Sequence, residues 1–213
     1  MTPGGAAPVG AYVTIVGPDG TGKSTLAGNL ERFAPFERCT RAHWRPGILP
    51  PLGRFGPWDS VAPSRPHEQA SHGRATTAVR LIYYWSDFVL GYWFHIRSRV
   101  QNGELYVLER GWSDMLVDRR RYRLSPLPRL ERVLDWLAPR PDLTLFLDVP
   151  AEVALRRKCE ISVAELTRQR RLWQDITARH PEVVRIDGQQ PVDHVLECAL
   201  DLLLRIRDMG SAS

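Results

Sequence analysis

Short apolar runs alternate along this chain with longer segments in which apolar residues recur every three or four positions. The short runs are rich in β-branched and aromatic residues, which is typical of strands in the interior of a parallel sheet. The longer segments have the period of helices that pack one face against a core. The pattern predicts strands at residues 12–16, 38–43, 105–108, 143–149 and 183–186. It predicts helices at residues 23–33, 75–101, 115–122, 130–137, 150–158, 163–179 and 191–209.

This alternation favours an α/β fold, in which a parallel five-stranded sheet carries helices on both faces. The length of 213 residues suits one domain, predicted at residues 10–209, with short tails at 1–9 and 210–213. Hydrophobic residues make up 43% of the chain, but no apolar run approaches the roughly 20 residues of a membrane-spanning helix. The small-residue N-terminus lacks the charged and apolar regions of a secretory signal.

The three cysteines, Cys39, Cys159 and Cys198, are scattered and form no C-x-x-C pair. Their spacing indicates neither a disulfide framework nor a zinc site, and it favours a reducing, cytoplasmic setting. The net charge of +5 suits either nucleic-acid binding or an enzyme that concentrates basic residues around a polyphosphate. Because no aromatic–basic RNA motif or DNA-recognition helix accompanies the charge, we expect neither a nucleic-acid nor a membrane partner.

The predicted helix 75–101 is apolar over a wide arc. One stripe consists of Val79, Ile82, Val89, Trp93, Ile96 and Val100, and a second of Tyr83, Leu90 and Phe94. A helix with so wide an apolar surface needs two partners. The sheet is one, and we expect the other to be a second copy of the chain, with Gly91 permitting close approach in a twofold homodimer. Tyr83, Tyr84 and Trp85 are either core residues or a platform for a planar substrate group.

A proline-rich segment precedes this helix. Six prolines and three glycines between Pro46 and Pro66 exclude a regular helix or an inner strand. A loop of this length in a compact domain is usually either functional or disordered. We therefore interpret residues 46–74 as a loop that covers a substrate or, alternatively, as a disordered segment.

The residues between the first strand and the first helix carry the most specific chemical signal. The segment 17–24, GPDGTGKS, fits the phosphate-loop pattern G-x-x-x-x-G-K-[ST]. Glycines allow backbone N–H groups to surround phosphates, and the helix N-terminus adds a positive dipole. In this pattern Lys23 contacts the β- and γ-phosphates of ATP, and Ser24 ligates Mg²⁺. The predicted nucleotide-binding residues are Gly17, Asp19, Gly20, Thr21, Gly22, Lys23, Ser24 and Thr25.

Glu109 and Arg110 follow the predicted strand 105–108. In doubly wound sheets, ligands gather beyond the C-terminal ends of the strands. An acid and an arginine at this edge suit Mg²⁺ and a phosphate, or else they form an ion pair that caps the strand. We expect Ser24 and Glu109 to be the metal-binding residues. The charged run 118–121 is more typical of a solvated face than of a site.

Together these segments resemble the thymidylate kinase-like group of P-loop nucleoside monophosphate kinases over most of the chain. The segment 43–47, HWRPG, is similar to the R-E-P-G segment of that family, and Glu109-Arg110 stands in place of its Asp-Arg pair. The segment 141–149 is similar to its P-D-L-x-L-x-L-D-V strand, and 156–171 to its arginine-bearing lid. The resemblance implies a P-loop kinase fold with a lid at 156–172, ATP and Mg²⁺ as cofactors, and a homodimer.

The resemblance also implies roles for individual residues. Asp19 addresses the sugar of the substrate, Arg45 and Arg110 are candidates for the acceptor phosphate, and a lid arginine closes over the transferring group. The catalytic candidates are Lys23, Asp19, Glu109, Arg110 and Arg156. The substrate-binding candidates are Arg45, Tyr83, Tyr84, Asp87, Arg110 and Arg168.

The chain departs from the family on the long helix. Where the family carries Ala-Asp-Arg, whose arginine holds the monophosphate, this chain has WSD at 85–87. Asp87 is then either the orienting partner of Arg45, Arg80 or Arg110, or a group that recognises hydroxyls or an amine. The acceptor of this ATP-dependent phosphotransferase is accordingly a nucleoside monophosphate, which we favour, or a non-nucleotide sugar or metabolite. A nucleotide-binding switch or ATPase without an acceptor is the third interpretation.

Overall fold

The computed structural model describes residues 9–50, 52, 70–158 and 161–211. Within these residues the strands are β1 (Ala11–Val16), β2 (Cys39–His43), β3 (Leu105–Glu109), β4 (Leu143–Asp148) and β5 (Val183–Asp187). The helices are α1 (Lys23–Phe33), α2 (Arg74–Gly91), α3 (Arg97–Gln101), α4 (Trp112–Val117), α5 (Pro128–Leu137), α6 (Ala151–Arg157), α7 (Val163–Thr177) and α8 (Val192–Ser211). A π-helical turn, Tyr92–Ile96, joins α2 to α3.

All five strands are parallel and lie in the order β2-β3-β1-β4-β5. This sheet, with helices on both faces, confirms the predicted α/β fold. The central strand β1 pairs with β3 on one side and β4 on the other, so that Ile15 lies opposite both Glu109 and Leu145. Parallel strands end at the same edge of the sheet. The edge beyond β1, β2 and β3 therefore brings together the segment 17–24, the residues after His43, and Arg110.

Alternate residues of β1 enter two different cores, as the period of a strand requires. Ala11, Val13 and Ile15 belong to a core that also contains residues of α1 and α8. Tyr12 faces the opposite core, which α2, α4 and α5 help to form. The sheet is thus covered on both faces, and its strand ends carry the side chains available for chemistry.

The helix predicted at 115–122 is wrong in both of its bounds. Helix α4 begins directly after Gly111 and ends at Val117. The chain then turns at Asp118, which has φ −100° and ψ 57° and whose carboxylate accepts a hydrogen bond of 3.3 Å from the backbone N–H of Arg121. Asp118 is only 3% exposed, so the charged run 118–121 is not a uniformly solvated face. The turn carries Arg121 and the buried Tyr122 to the site described below.

The long helix of the prediction is found as α2, the π-helical turn and α3, but its buried face differs from the predicted one. The buried residues of α2 are Thr77, Arg80, Leu81, Tyr84, Asp87, Phe88 and Gly91. Val79, Ile82 and Trp93 of the predicted stripe are 60%, 48% and 54% exposed. The prediction failed because it assigned only apolar residues to the buried face of the helix, whereas that face includes the polar residues Arg80 and Asp87.

The remaining predicted helices and strands agree with the structure to within two residues at each end. No helix in the described ranges has both the length and the apolar character needed to span a lipid bilayer. The predicted covering loop 46–74 lies mostly outside the described residues, as do residues 1–8 and 212–213 of the predicted tails and Cys159. Helix α8 continues through residues 210 and 211 of the predicted C-terminal tail.

Candidate active site

The segment 17–24 forms a tight loop between β1 and α1. Gly17, Gly20 and Gly22 have φ angles of 138°, 82° and 97°, which favour glycine because a Cβ makes this region costly. A Cβ on Gly20 would lie 2.4 Å from the backbone oxygen of Ala154 at α6. Glycine is therefore required here both for the turn and for the close approach of α6.

Lys23, the first residue of α1, is buried at the centre of this loop. Its Nζ donates hydrogen bonds of 2.7 Å to the backbone oxygens of Gly17 and Pro18. Burial, together with the positive charge of Arg110, lowers the pKa of Lys23 from 10.5 to about 8. A buried ammonium group with a basic neighbour is a site that a polyphosphate would complement.

Ser24 follows Lys23 and faces the end of β3. Its hydroxyl donates a hydrogen bond of 2.6 Å to Oε2 of Glu109, which is fully buried. The other carboxylate oxygen, Oε1, accepts a hydrogen bond of 2.6 Å from Nε of Arg41, and Nδ1 of His43 lies 3.5 Å from Oε2. Burial alone would raise the pKa of Glu109, but hydrogen bonds to His43, Ser24 and Arg41 lower it to about 2. Glu109 is therefore a carboxylate at neutral pH.

A hydroxyl and a carboxylate in contact are the hard oxygen ligands that Mg²⁺ accepts when phosphates and water complete its coordination. Ser24 and Glu109 fit that description. Among the described residues, no group of three or more His, Cys, Asp and Glu side chains could hold a metal by itself. The donor set therefore suits a metal that arrives with a phosphate ligand.

Asp19 and Arg110 meet beside the loop, in a cluster of opposite charges. The Asp19 carboxylate accepts hydrogen bonds from Arg110 and, at 2.6 Å, from Arg121. Arg110 also donates to Asp114, at 3.0 Å. Burial alone would raise the pKa of Asp19, but Arg110, Lys23 and Arg121 hold it well below its usual range. Arg110 has a φ of 65°, a strained conformation for a residue with a side chain.

Asp87 of α2 organises the chain that follows β2. It is fully buried and accepts hydrogen bonds from Nη1 of Arg45 at 3.1 Å and from the backbone N–H groups of Gly47 at 3.1 Å and Leu49 at 2.6 Å. The sequence left two interpretations of Asp87, an orienting partner of an arginine or a group that recognises hydroxyls or an amine. The observed hydrogen bond to Arg45 is the geometry of an orienting partner. The segment 45–49 is thereby fixed at the edge of the site.

Gly91, one turn after Asp87, lies against the same segment. A Cβ at this position would stand 2.2 Å from Cβ and 2.4 Å from Cγ of Pro46. The close approach that Gly91 permits is thus to Pro46 within the chain, and the expectation that it serves contact with a second copy is wrong.

An aromatic wall is formed by residues that follow β2, lie on α2 and lie in the turn after α4. Trp44 stacks with Tyr122 at a centroid distance of 5.6 Å and an interplanar angle of 14°, and it meets Tyr84 edge-on at 5.3 Å. The predicted platform residue Tyr84 is part of this wall, although it is buried. Tyr83 instead donates a hydrogen bond of 2.5 Å to the backbone oxygen of Pro50.

On the other side of the loop, a cavity of about 290 Å³ lies between α1 and the turn after β5. Thr25, Arg157, Gly188 and Gln190 are among its lining residues, and Nη1 of Arg157 donates to the Gly188 backbone oxygen at 3.1 Å. A cavity beside a phosphate loop, lined by a planar guanidinium group, has room for the nucleoside part of a nucleotide.

The two predicted lid arginines lie apart from this cluster. Arg156 is exposed near the end of α6. Arg168 donates to Glu165 at 2.5 Å and to the backbone oxygen of Val117 at 2.8 Å, so it ties α7 to α4. Arg157, adjacent to Arg156, is the residue that reaches the cavity.

Sequence reasoning missed Arg41, Trp44, Arg121, Tyr122 and Arg157. Trp44 lies within the HWRPG segment and Arg41 lies two residues before it, so this segment is a signal that could have included both. Arg121 and Tyr122 had no such signal, because the pattern placed them on a helix and the turn that brings them to Asp19 and Trp44 depends on contacts distant in sequence.

The chain was compared with known proteins. No family model matches it. Among curated proteins it is similar to a probable thymidylate kinase of Pyrobaculum aerophilum, with 30% identity over 148 residues. The match covers 69% of this chain and 69% of that relative.

Proposed function

The chain belongs to the thymidylate kinase family, and on that premise we propose that it is an Mg²⁺- and ATP-dependent kinase that phosphorylates a nucleoside monophosphate. The observation that carries the proposal is a hydrogen bond of 2.6 Å to Glu109. Its donor is Ser24, the residue that follows the buried Lys23. This arrangement provides a cation for the phosphates and two oxygen ligands for a metal at the same edge of the sheet.

On the donor side, Lys23 and the loop N–H groups would hold the phosphates of ATP, and Ser24 with Glu109 would hold Mg²⁺. The bound metal would supply neutralisation of the charge on the β- and γ-phosphates. Arg41 donates a hydrogen bond to Oε1 of Glu109, while Oε2 accepts one from Ser24. These two contacts fix the orientation of the carboxylate. The cavity near Arg157 would take the adenosine.

On the acceptor side, Arg110 and Arg121 would contact the acceptor phosphate, while Asp19 keeps both guanidinium groups beside Lys23. Asp87 would position Arg45 at the same edge. Phosphoryl transfer requires positioning and neutralisation of charge more than covalent chemistry, and preorganised arginines supply both.

The test is ADP formation from ATP and Mg²⁺ in the presence of single nucleoside monophosphates. We expect ADP only when a suitable monophosphate is present, and we expect Lys23→Ala to lower kcat/KM by about 100-fold or more. Arg38→Ala is the matched control, because this side chain is 80% exposed and lies outside the site. Near-normal turnover by Lys23→Ala would refute the assignment of the loop, and equal ADP formation without any acceptor would favour an ATPase or switch.

A second candidate function is a kinase for an uncharged hydroxyl acceptor, such as a sugar or another metabolite. One observation favours it: the buried Asp87 stands on α2 in the place of the phosphate-binding arginine of the family that the chain resembles. Arg45, Arg110 and Arg121 are in addition all bound to carboxylates. Turnover of a non-nucleotide alcohol, with none of any monophosphate, would select this function and leave the donor side unchanged.

A further inference from the structure

Trp44, the residue directly after β2, has a backbone conformation that is costly for a bulky side chain. Its φ of 72° lies in the left-handed region. Its backbone N–H is tied to the backbone oxygen of Glu109 by a hydrogen bond of 2.6 Å, which places Trp44 beside the proposed metal ligand. Strained residues of this kind concentrate at binding and catalytic sites, where surrounding contacts hold them.

The contacts that hold Trp44 are aromatic and cationic. Tyr122 stacks on the indole, Tyr84 meets its edge, and the guanidinium of Arg45 lies 5.3 Å from the ring centroid. Arg45 is itself fixed by Asp87. The indole is therefore held in one orientation at the edge of the sheet where β2 and β3 end.

Three hydrogen-bonding atoms around this surface are buried and have no partner among the described residues. They are Nε1 of Trp44, the hydroxyl of Tyr122 and Nε of Arg110. An N–H or O–H group buried without a partner is unfavourable, and such groups in folded proteins are usually satisfied by a ligand, an ion or water. All three atoms can donate, so the missing partner is a group that accepts hydrogen bonds.

We propose that Trp44 is the platform on which a planar heterocycle of the phosphoryl acceptor stacks, with Nε1 donating to a carbonyl or ring nitrogen at the edge of that heterocycle. The inference rests on the proposed function, since it names the part of the acceptor that this site selects. Tyr122 covers one face of the indole in this structure, so the proposal requires the heterocycle to displace Tyr122, which lies in the turn after α4. Trp44 is a specificity residue, distinct from Arg110 and Arg121, which would hold the phosphate.

The test is calorimetric binding of four probes to wild type, Trp44→Phe, Trp44→Gly and the control Trp136→Phe. Trp136 is 77% exposed on α5. The probes are dTMP, dGMP, thymidine, and deoxyribose 5-phosphate, which lacks the heterocycle. Glycine suits a φ of 72°, so Trp44→Gly removes the ring without adding backbone strain. Far-UV circular dichroism and Tm establish that each variant folds.

We expect Trp44→Gly to raise the Kd of the better-bound nucleotide by about tenfold or more, because stacking on an aromatic side chain dominates such contacts. Trp44→Phe keeps a ring but loses Nε1, so its Kd should rise by a smaller factor. The Kd of deoxyribose 5-phosphate should stay within about twofold of wild type in both variants, and so should the Kd of ATP, which is measured separately as a control for the donor side. Trp136→Phe should bind all probes as wild type does.

The inference is overturned if folded Trp44→Gly binds dTMP and dGMP as tightly as wild type, or if its binding of deoxyribose 5-phosphate weakens equally. It is also overturned if wild type binds none of the three probes that carry a base. Preference of wild type for thymidine over dTMP would support the platform and select an uncharged acceptor. Binding does not require transfer, so a chain that binds nucleotides through Trp44 but forms no ADP refutes the proposed function alone.

Discussion

Asp87 and Arg45 form a buried ion pair in which Oδ2 of the aspartate lies 3.1 Å from Nη1 of the arginine. The pair joins α2 to the segment after β2, and the same carboxylate accepts two backbone N–H groups of that segment. A carboxylate on the long helix therefore does not face the acceptor as an unpaired negative charge. Instead, it fixes the position of Arg45 and of the backbone that follows β2.

The first prediction concerns this pair. Asp87→Ala should lower the free energy of unfolding by about 3–5 kcal/mol, because it leaves a buried arginine without its partner. It should also reduce kcat/KM for dTMP by about tenfold or more, mainly through KM. Ser86→Ala is the control, since the Ser86 hydroxyl is exposed and bonds only to Ile82 of its own helix among the described residues. Asp87→Arg should be worse than Asp87→Ala, and an increase in dTMP turnover by Asp87→Arg would contradict the supporting role.

The second prediction concerns Gly91. Alanine is more favourable than glycine within a helix by about 1 kcal/mol, but at this position its Cβ would overlap the rigid ring of Pro46. Overpacking costs about 1–3 kcal/mol, so Gly91→Ala should lower the free energy of unfolding slightly and weaken acceptor binding. Gly28→Ala on α1 is the matched control, because its nearest contact would be an ordinary one at 3.5 Å, and it should be neutral or stabilising.

A double-mutant cycle decides whether Pro46 is the cause. Pro46→Gly removes the ring, so the combination with Gly91→Ala should recover most of the loss. Equal losses for Gly91→Ala with and without Pro46 would show that the overlap with Pro46 is not the cause of the loss.

The proposed donor half of the candidate site could be predicted from sequence because its determinants are local. The glycines of 17–24, the β-branched run before them and the helical period after them place Lys23 and Ser24 without reference to the rest of the chain. Glu109 could be placed because a parallel sheet aligns the ends of its strands. The bounds of α1 agree with the prediction for the same reason.

The proposed acceptor half of the candidate site could not be predicted in the same way. Hydrophobic periodicity assigns the inward face of α2 to apolar residues, but this face also buries Arg80 and Asp87. Arg121 and Tyr122 reach Asp19 and Trp44 only because α4 ends at Val117. That end depends on the conformation of Asp118, which no local pattern indicates.

The third prediction uses the low pKa of Glu109. Its ordinary value of 4.5 falls to about 2 in the folded protein, because hydrogen bonds to His43, Ser24 and Arg41 outweigh the effect of burial. A carboxyl group with a lower pKa in the folded than in the unfolded state stabilises the fold fully above about pH 4.5, and the stabilisation is lost as pH falls towards 2. Urea unfolding of wild type and Glu109→Gln should therefore differ by on the order of 3 kcal/mol at pH 7. The difference should shrink steadily below pH 4.5, whereas a difference independent of pH would show that Glu109 contributes only through its shape.

The last prediction concerns assembly. Val79, Ile82, Trp93 and Phe94 are 60%, 48%, 54% and 74% exposed, although they lie on α2 and the π-helical turn that continues it. Val79, Ile82 and Trp93 follow helical spacing, so they share one side of the helix. Exposed apolar patches of this kind mark interfaces, and a twofold axis would pair the patch with itself.

We therefore expect a homodimer by light scattering at micromolar concentration, formed through this side of α2 and not through Gly91, which Pro46 covers. Ile82→Asp should give a folded monomer, because it places two like charges near the axis. Val133→Asp is the control, since Val133 is 53% exposed on α5 and should leave the dimer intact. A monomeric wild type would contradict the proposed interface. A dimer that survives Ile82→Asp but not Val133→Asp would indicate that the interface lies at α5.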